Sequence, residues 1–364
     1  MTRRERMMAA VRFQPVDRVP FATYNLHPYR AAHADDPSYA GLLALVREKA
    51  GVYCKSTCKT VGGRASDGEM STRETPDGHA ITTTVVATPK GDLTAVVVKP
   101  PDQPAYVTEH FVKTDEDIEK YLSLPYEPVE YDPAPAQEML EKLDGTGLVL
   151  VGYGDPMHTV ARLFDFNDFA IRCATDLPSI KRLVDFAFER VREDLGRRLK
   201  ACKGVEVGFM TGGPEICTPP LMPPALFREL VTPCQKRLVE AIREAGFVSG
   251  IHCHGRVRHV LDEMLEIGPD YIEPIEPPPQ GDITLAELRE RTAGRMCLIG
   301  HIQDQELHSV PPGTMKRRVE EIARVVDGGT GYIMTPTCTP FQHPATDTYV
   351  RNYAEWIEAA DRVL

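Results

Sequence analysis

Short apolar runs alternate along this chain with longer segments whose apolar positions return every third or fourth residue. The runs fall at 19–24, 51–55, 148–153, 205–210, 247–251, 270–273, 296–300 and 331–334. Runs of this kind read as strands buried on both faces, and the segments between them as amphipathic helices that cover the strands. Helices are predicted over 2–13, 39–49, 114–122, 138–143, 159–171, 178–200, 224–245, 257–267, 312–326 and 345–362. Thr284 followed by Glu287 is a capping box that opens one more. Eight strands in β-α alternation predict an α/β protein with a closed (β/α)8 barrel. An open doubly wound sheet is the alternative. Against it, no G-x-G-x-x-G turn follows the first strand, no Walker A sequence occurs, and Gly212-Gly213 is too sparse to cradle a phosphate.

Residues 60–112 break this rhythm. Runs rich in Thr and Val at 72–75, 79–87 and 93–98 are separated by Pro76-Asp77-Gly78 and by Pro89-Lys90-Gly91-Asp92, both strong turn chemistry. They predict a β-rich insertion after strand two. It has too little apolar surface for a core of its own, so a single barrel domain is expected over 1–364. A proline-rich connection follows at 125–135.

Composition adds little to the fold but narrows the function. Hydrophobic residues at 42% and charged residues at 26% describe an ordinary globular chain. A net charge of −11 disfavours nucleic acid and anionic membrane as partners, since both need basic patches. No apolar stretch approaches the roughly 20 residues of a membrane span. The opening Thr2-Arg3-Arg4-Glu5-Arg6 leads into no secretory core. Nine cysteines without a pairing pattern fit reduced thiols, so a cytoplasmic location is expected.

In a (β/α)8 barrel the chemistry sits at the C-terminal ends of the strands. Those ends carry Asn25, His27, Tyr29, Tyr153, Asp155, Glu215, His252, His254, Glu273, Glu276, His301, Asp304 and Cys338. The densest stretch is Gly250-Ile251-His252-Cys253-His254-Gly255. Alternate residues of a strand share a face, so His252 and His254 are expected on one side and Cys253 on the other. Two imidazoles with the Cys338 thiol and the Glu276 carboxylate would satisfy tetrahedral zinc, the carboxylate being the ligand a substrate displaces. Taken singly, each has a plainer reading: hydrogen-bonded core histidines, a small buried cysteine, a surface carboxylate. Their convergence at one barrel mouth favours the metal. A thiolate in the set disfavours iron. Cys54 and Cys58 do not have a usual zinc spacing.

These motifs also come in a telling order. Arg3-Arg4-Glu5-Arg6 through Asp17-Arg18-Val19-Pro20, Gly212-Gly213-Pro214-Glu215 with Pro219-Pro220, His252-Cys253-His254-Gly255, Glu276-Pro277-Pro278, Gly300-His301-Ile302 and the Cys338 loop follow one another along the whole chain. This resembles the uroporphyrinogen decarboxylase superfamily, and within it the cobalamin-dependent methyltransferase branch. The resemblance implies an enzyme that moves a methyl group between a small substrate, such as a methoxylated compound, a thiol or an amine, and the cobalt of a corrinoid (cobalamin). It implies a separate corrinoid-binding protein as partner, and leaves a homodimer open.

In that branch the zinc motif is His-x-Cys with a distant Cys. His252 matches the first ligand, His254 stands where the first Cys is expected, and Cys338 matches the distant one. Glu276, or else Glu273, would be the exchangeable ligand. Imidazole in place of thiolate makes zinc a stronger Lewis acid, which tilts the expectation toward an ether oxygen and O-demethylation. Asn25, His27, Tyr29, Tyr153 and Glu215 would shape the substrate pocket. Two other readings stay in view. One is a metal-free lyase like the decarboxylase itself, with Asp155 or His301 as acid/base; the loop Asn25-Leu26-His27-Pro28-Tyr29-Arg30, with its single Arg, suits that enzyme's polyanionic substrate poorly. The other is a non-catalytic holder of a corrinoid or metal.

Overall fold

A computed structural model describes the chain except residues 65–67, 102, 104, 327 and 329. Eight parallel strands run in chain order around one sheet: Ala22–Tyr24, Gly51–Ser56, Gly147–Tyr153, Gly208–Gly212, Ser249–His252, Tyr271–Ile275, Cys297–Ile302 and Tyr332–Pro336. A parallel bridge between Phe21 and Met334 joins the last strand back to the first, and the Met334 N–H donates to the Pro20 carbonyl at 3.0 Å. The (β/α)8 barrel expected from the apolar runs is therefore the fold. Tyr24, Tyr53, Leu148, Leu150, Met210, Tyr271, Ile299 and Ile333 fill the interior. Helix Arg3–Val11, capped by Thr2 and Glu5 in a reciprocal box, adds Met7, Ala10 and Val11 to the same core.

Backbone contacts divide the chain into two compact units. One comprises 1–58, 133–153 and 202–364 and contains every barrel strand. The other comprises 59–132 and 154–201. Within it, Glu69–Glu74, Ala80–Val86, Leu93–Lys99 and Tyr106–Glu109 form a four-stranded antiparallel sheet, so the β-rich insertion lies after barrel strand two as its turns predict. Residues 65–67, 102 and 104 of that segment lie outside the described residues. A short antiparallel pair joins Lys59–Val61 to Glu130–Asp132, and the second of these strands lies inside the proline-rich connection. The long helix of this unit runs over Leu177–Ala201.

Several predicted boundaries move. The helical stretch at 159–171 is two helices, Pro156–Ala161 and Phe166–Thr175. The helix over 224–245 contains a π turn at Phe227–Val231. Asp304–Ser309 is a further helix, too short to show a periodic pattern. Thr284 accepts the Glu287 N–H as predicted, at 3.2 Å, but the Glu287 carboxylate turns to Arg258.

Gly250 shows why strand five has no side chain two residues before His252. A Cβ there would overlap the ring of Tyr271, which is fully buried in the barrel core. Gly250→Ala is expected to destabilise the protein by about 1–3 kcal/mol, because neither the ring nor the neighbouring strand has space to move into. A fall in the urea midpoint at unchanged m-value measures it.

Candidate active site

The register of strands five and six sets His252 directly beside Glu273. His252 Nδ1 lies 2.9 Å from Glu273 Oε1. Tyr24 points inward from strand one and donates its hydroxyl to Glu273 Oε2 at 2.7 Å. On strand two, Lys55 follows core Tyr53 by two residues and so shares its face. Its Nζ comes within 3.5 Å of His252 Nδ1 and sits 4.8 Å from the centre of the Tyr24 ring. Glu273 is fully buried. Burial by itself would raise its pKa, but His252, Lys55 and the Tyr24 hydroxyl outweigh that and hold it well below the usual carboxylate range. Burial and the charge of Glu273 push the Tyr24 phenol well up, so it remains the donor.

A second imidazole–carboxylate pair adjoins the first. The strand stops at His252, so His254 does not continue its face as the alternation predicts. Past the strand end the two rings meet edge to face, with centroids 4.7 Å apart, while Cys253 between them is fully buried. His254 Nδ1 lies 3.3 Å from Glu276 Oε1, and Glu276 Oε2 accepts the Gly255 N–H at 2.7 Å. Burial works against a protonated His254. The hydrogen bond and charge of Glu276, with the charges of Glu273 and Glu215, prevail and raise its pKa. Glu276 resists its own burial penalty through His254 and the Gly255 amide, and its pKa falls.

Cys338 is half-buried, and its Sγ donates to the Thr339 carbonyl at 3.3 Å. Burial and the charge of Asp304 raise its pKa, Lys55 opposes them, and the charge of Glu276 also reaches it. Glu215 Oε2 is enclosed without a hydrogen-bond partner.

The result is two imidazole–carboxylate pairs, with Lys55 beside the first, Cys338 within electrostatic reach of Lys55 and Glu276, and Glu215 within that of His254. That donor set fits zinc in kind, and the orphaned Glu215 oxygen is an acceptor that a cation would satisfy. Each imidazole also has Nδ1 on a carboxylate, the arrangement that orients a ring while leaving Nε2 for a metal. The side chains stand as pairs: among the described residues no three of His, Cys, Asp or Glu are grouped so as to hold an ion.

The remaining predicted residues have other partners. Asn25 adopts a positive φ of 55°, and its Oδ1 accepts the Lys55 N–H at 3.3 Å. His27 is buried with Nε2 3.6 Å from Cys54 Sγ, whereas Cys58 lies against Cys202. Tyr29 is exposed. Tyr153 donates to Gln235 Oε1 at 3.3 Å. Asp155 caps the helix after strand three, accepting the His158 N–H at 2.6 Å. Asp304 accepts the Tyr349 hydroxyl at 3.3 Å and lies 3.4 Å from His308. His301 faces a cleft separate from the cluster.

His27 also makes acid stability predictable. Burial, with His33 and Arg30 adding to it, lowers its pKa from 6.5 to about 4. The unfolded chain therefore binds the extra proton first. The stabilisation is complete above pH 6.5 and is lost as pH falls toward 4, by about 3 kcal/mol in all. Urea unfolding at pH 7.5 and 4.5 should show the loss, and His27→Gln should shrink the difference.

A family model described as uroporphyrinogen decarboxylase (URO-D) matches residues 72–363. No curated protein matches the chain. Among solved structures, a methyltransferase from Methanosarcina mazei is similar at 16% identity and a TM-score of 0.60, over 99% of this chain and 98% of that one. A D-psicose 3-epimerase from Clostridium cellulolyticum H10 is similar at 9% identity and a TM-score of 0.40, over 64% of this chain and 84% of its own.

Proposed function

Because the chain belongs to the uroporphyrinogen decarboxylase family, we propose that it is an enzyme of the methyltransferase kind, moving a methyl group between a small substrate and the cobalt of a corrinoid. The observation that carries this reading is the pair of imidazoles at the barrel strand ends, each backed by a carboxylate, with the Cys338 thiol within electrostatic reach of Glu276 and Lys55. The Methanosarcina mazei protein, similar over nearly the full length of both chains, bears the name methyltransferase, which supports it.

His252, His254 and Cys338 would hold the metal. Zinc, when bound, supplies a Lewis acid that polarises the heteroatom carrying the methyl group. The protein's own contribution is positional. Glu273 fixes the His252 ring, Glu276 fixes the His254 ring, and His252, Lys55 and Tyr24 keep Glu273 ionised despite its burial. Glu276, the exchangeable ligand expected from the sequence, must release His254 or the Gly255 amide to reach a metal. Glu215 has an oxygen to spare. The preferred substrate is a methoxylated compound, with thiols and methylamines next. The corrinoid is assigned to a separate protein.

The test is anaerobic incubation of the purified chain with cob(I)alamin and a panel of methoxylated aromatics, thiols and methylamines. About one zinc per chain is expected, together with consumption of the cob(I)alamin spectrum by at least one methyl donor. A metal-free protein that releases CO2 from a carboxylated substrate would instead support the decarboxylase reading. Bound metal without turnover on any donor would support a binder.

A further inference from the structure

Strand seven departs from the alternation of the barrel at its last residues. Cys297 and Ile299 belong to the interior core, so strict alternation would aim His301 inward as well. Instead Gly300, at φ 137°, and His301, at φ 86°, both take left-handed backbone conformations. For histidine this is a strained state, and such states persist where the surroundings enforce them, often at ligand sites. The strand is also irregular against its neighbour, where its register with strand six shifts between Ile272 and Ile275.

The turn puts the His301 ring on the wall of a cleft of about 450 Å³. Pro277, Leu285, Ile322 and Val325 give that cleft apolar sides. None of His252, His254, Glu273, Glu276 or Cys338 lines it. Among the described residues the imidazole Nδ1 is enclosed without a hydrogen-bond partner, as is Oε1 of the neighbouring Gln303. Burial, with Arg318 adding to it, lowers the His301 pKa to about 4, so the ring is neutral near pH 7. Nδ1 is enclosed, so Nε2 is the nitrogen that a ligand can reach without the ring turning over.

The charges in the wall narrow the ligand further. Arg318 is committed to Glu306 at 2.7 Å and to Glu321 at 3.0 Å. Two carboxylates around one guanidinium leave no cation to receive a phosphate or carboxylate. What remains is apolar surface, the neutral side chains of Gln280, Thr284, Gln303, Gln305 and Ser309, and a neutral imidazole that lacks a partner among the described residues. We propose that this cleft binds a neutral small molecule with an apolar body of about one ring and a hydroxyl group that bonds the His301 imidazole. The site stands apart from the strand-end cluster and does not depend on the activity proposed for it.

The test uses the full chain with histidine labelled by nitrogen-15, titrated with phenol and, separately, with toluene. Phenol should saturate and bind at least about tenfold more tightly than toluene, because only phenol satisfies the imidazole. It should shift a single histidine ring signal, the one missing from His301→Asn, a substitution that tolerates positive φ. Ala286→Trp, at an exposed helix position on the rim, should weaken phenol by at least about tenfold by filling the cleft, without needing His301 to change. The proposal is overturned by non-saturable phenol, by equal affinity for toluene, by a shifted signal belonging to His252 or His254, or by unchanged phenol affinity in Ala286→Trp.

Discussion

His252→Ala is expected to remove zinc almost entirely, from about one equivalent per chain to near none, and with it methyl transfer. The register supplies the reason. His252 stands opposite Glu273 on strand six and opposite Gly212 on strand four, and the missing Gly212 side chain leaves space against its ring. No other imidazole occupies that place. His254 has its own carboxylate and lies beyond the strand end, so it cannot slide in as a substitute. A bound Lewis acid contributes several kcal/mol, and each 1.36 kcal/mol is tenfold in rate, so the loss should reach at least about a thousandfold. Metal analysis and the cob(I)alamin assay read the two effects separately. Full zinc occupancy in His252→Ala would refute the ligand assignment. Circular dichroism guards against simple unfolding, since Glu273 still keeps the Tyr24 hydroxyl and the nearby charge of Lys55.

The barrel was readable because a parallel strand buried on both faces is a continuous apolar run, whatever surrounds it. All eight runs coincide with strands, and the ends shift by only a few residues. The same property concealed part of the site. Tyr24 and Lys55 sit at the ends of apolar runs, where an aromatic reads as core and a terminal lysine as solvated. Only the pairing register shows that both face Glu273. The direction of His301 is not legible for a different reason. Its direction depends on two consecutive left-handed backbone conformations, and a glycine followed by histidine does not announce those in sequence. His252, His254, Glu273 and Glu276 were legible as a group because strand ends converge in this fold. Which carboxylate would serve which imidazole was not: the crossing of His254 to Glu276 is set by the turn at Gly255, where φ is 82°.

Glu273 should be the costliest residue of the cluster to remove. It is fully buried and engages both oxygens, one with His252 Nδ1 at 2.9 Å and one with the Tyr24 hydroxyl at 2.7 Å. Glu273→Ala takes the shared acceptor from an imidazole and a phenol, leaving them only each other at 3.3 Å, and withdraws the negative charge that Lys55 faces. Breaking a buried ionic network from one side typically costs about 3–5 kcal/mol, and that is the loss expected in urea unfolding. Glu273→Gln separates stability from orientation. The amide keeps the shape and can still accept from Tyr24, so less stability should be lost. Its other end is an N–H donor, however, and cannot accept a proton from His252 Nδ1. The ring then loses the partner that fixes its tautomer, and zinc affinity should fall by about 10- to 100-fold. Glu276→Gln is the contrast. Glu276 lies nearer the surface, with 11% of its side chain exposed against none for Glu273. That variant should therefore keep its zinc while changing substrate affinity and methyl-transfer rate. If Glu276→Gln loses its zinc outright, Glu276 is a permanent ligand and the exchange role is wrong; if Glu273→Gln holds zinc as tightly as the unaltered protein, Glu273 does not orient His252.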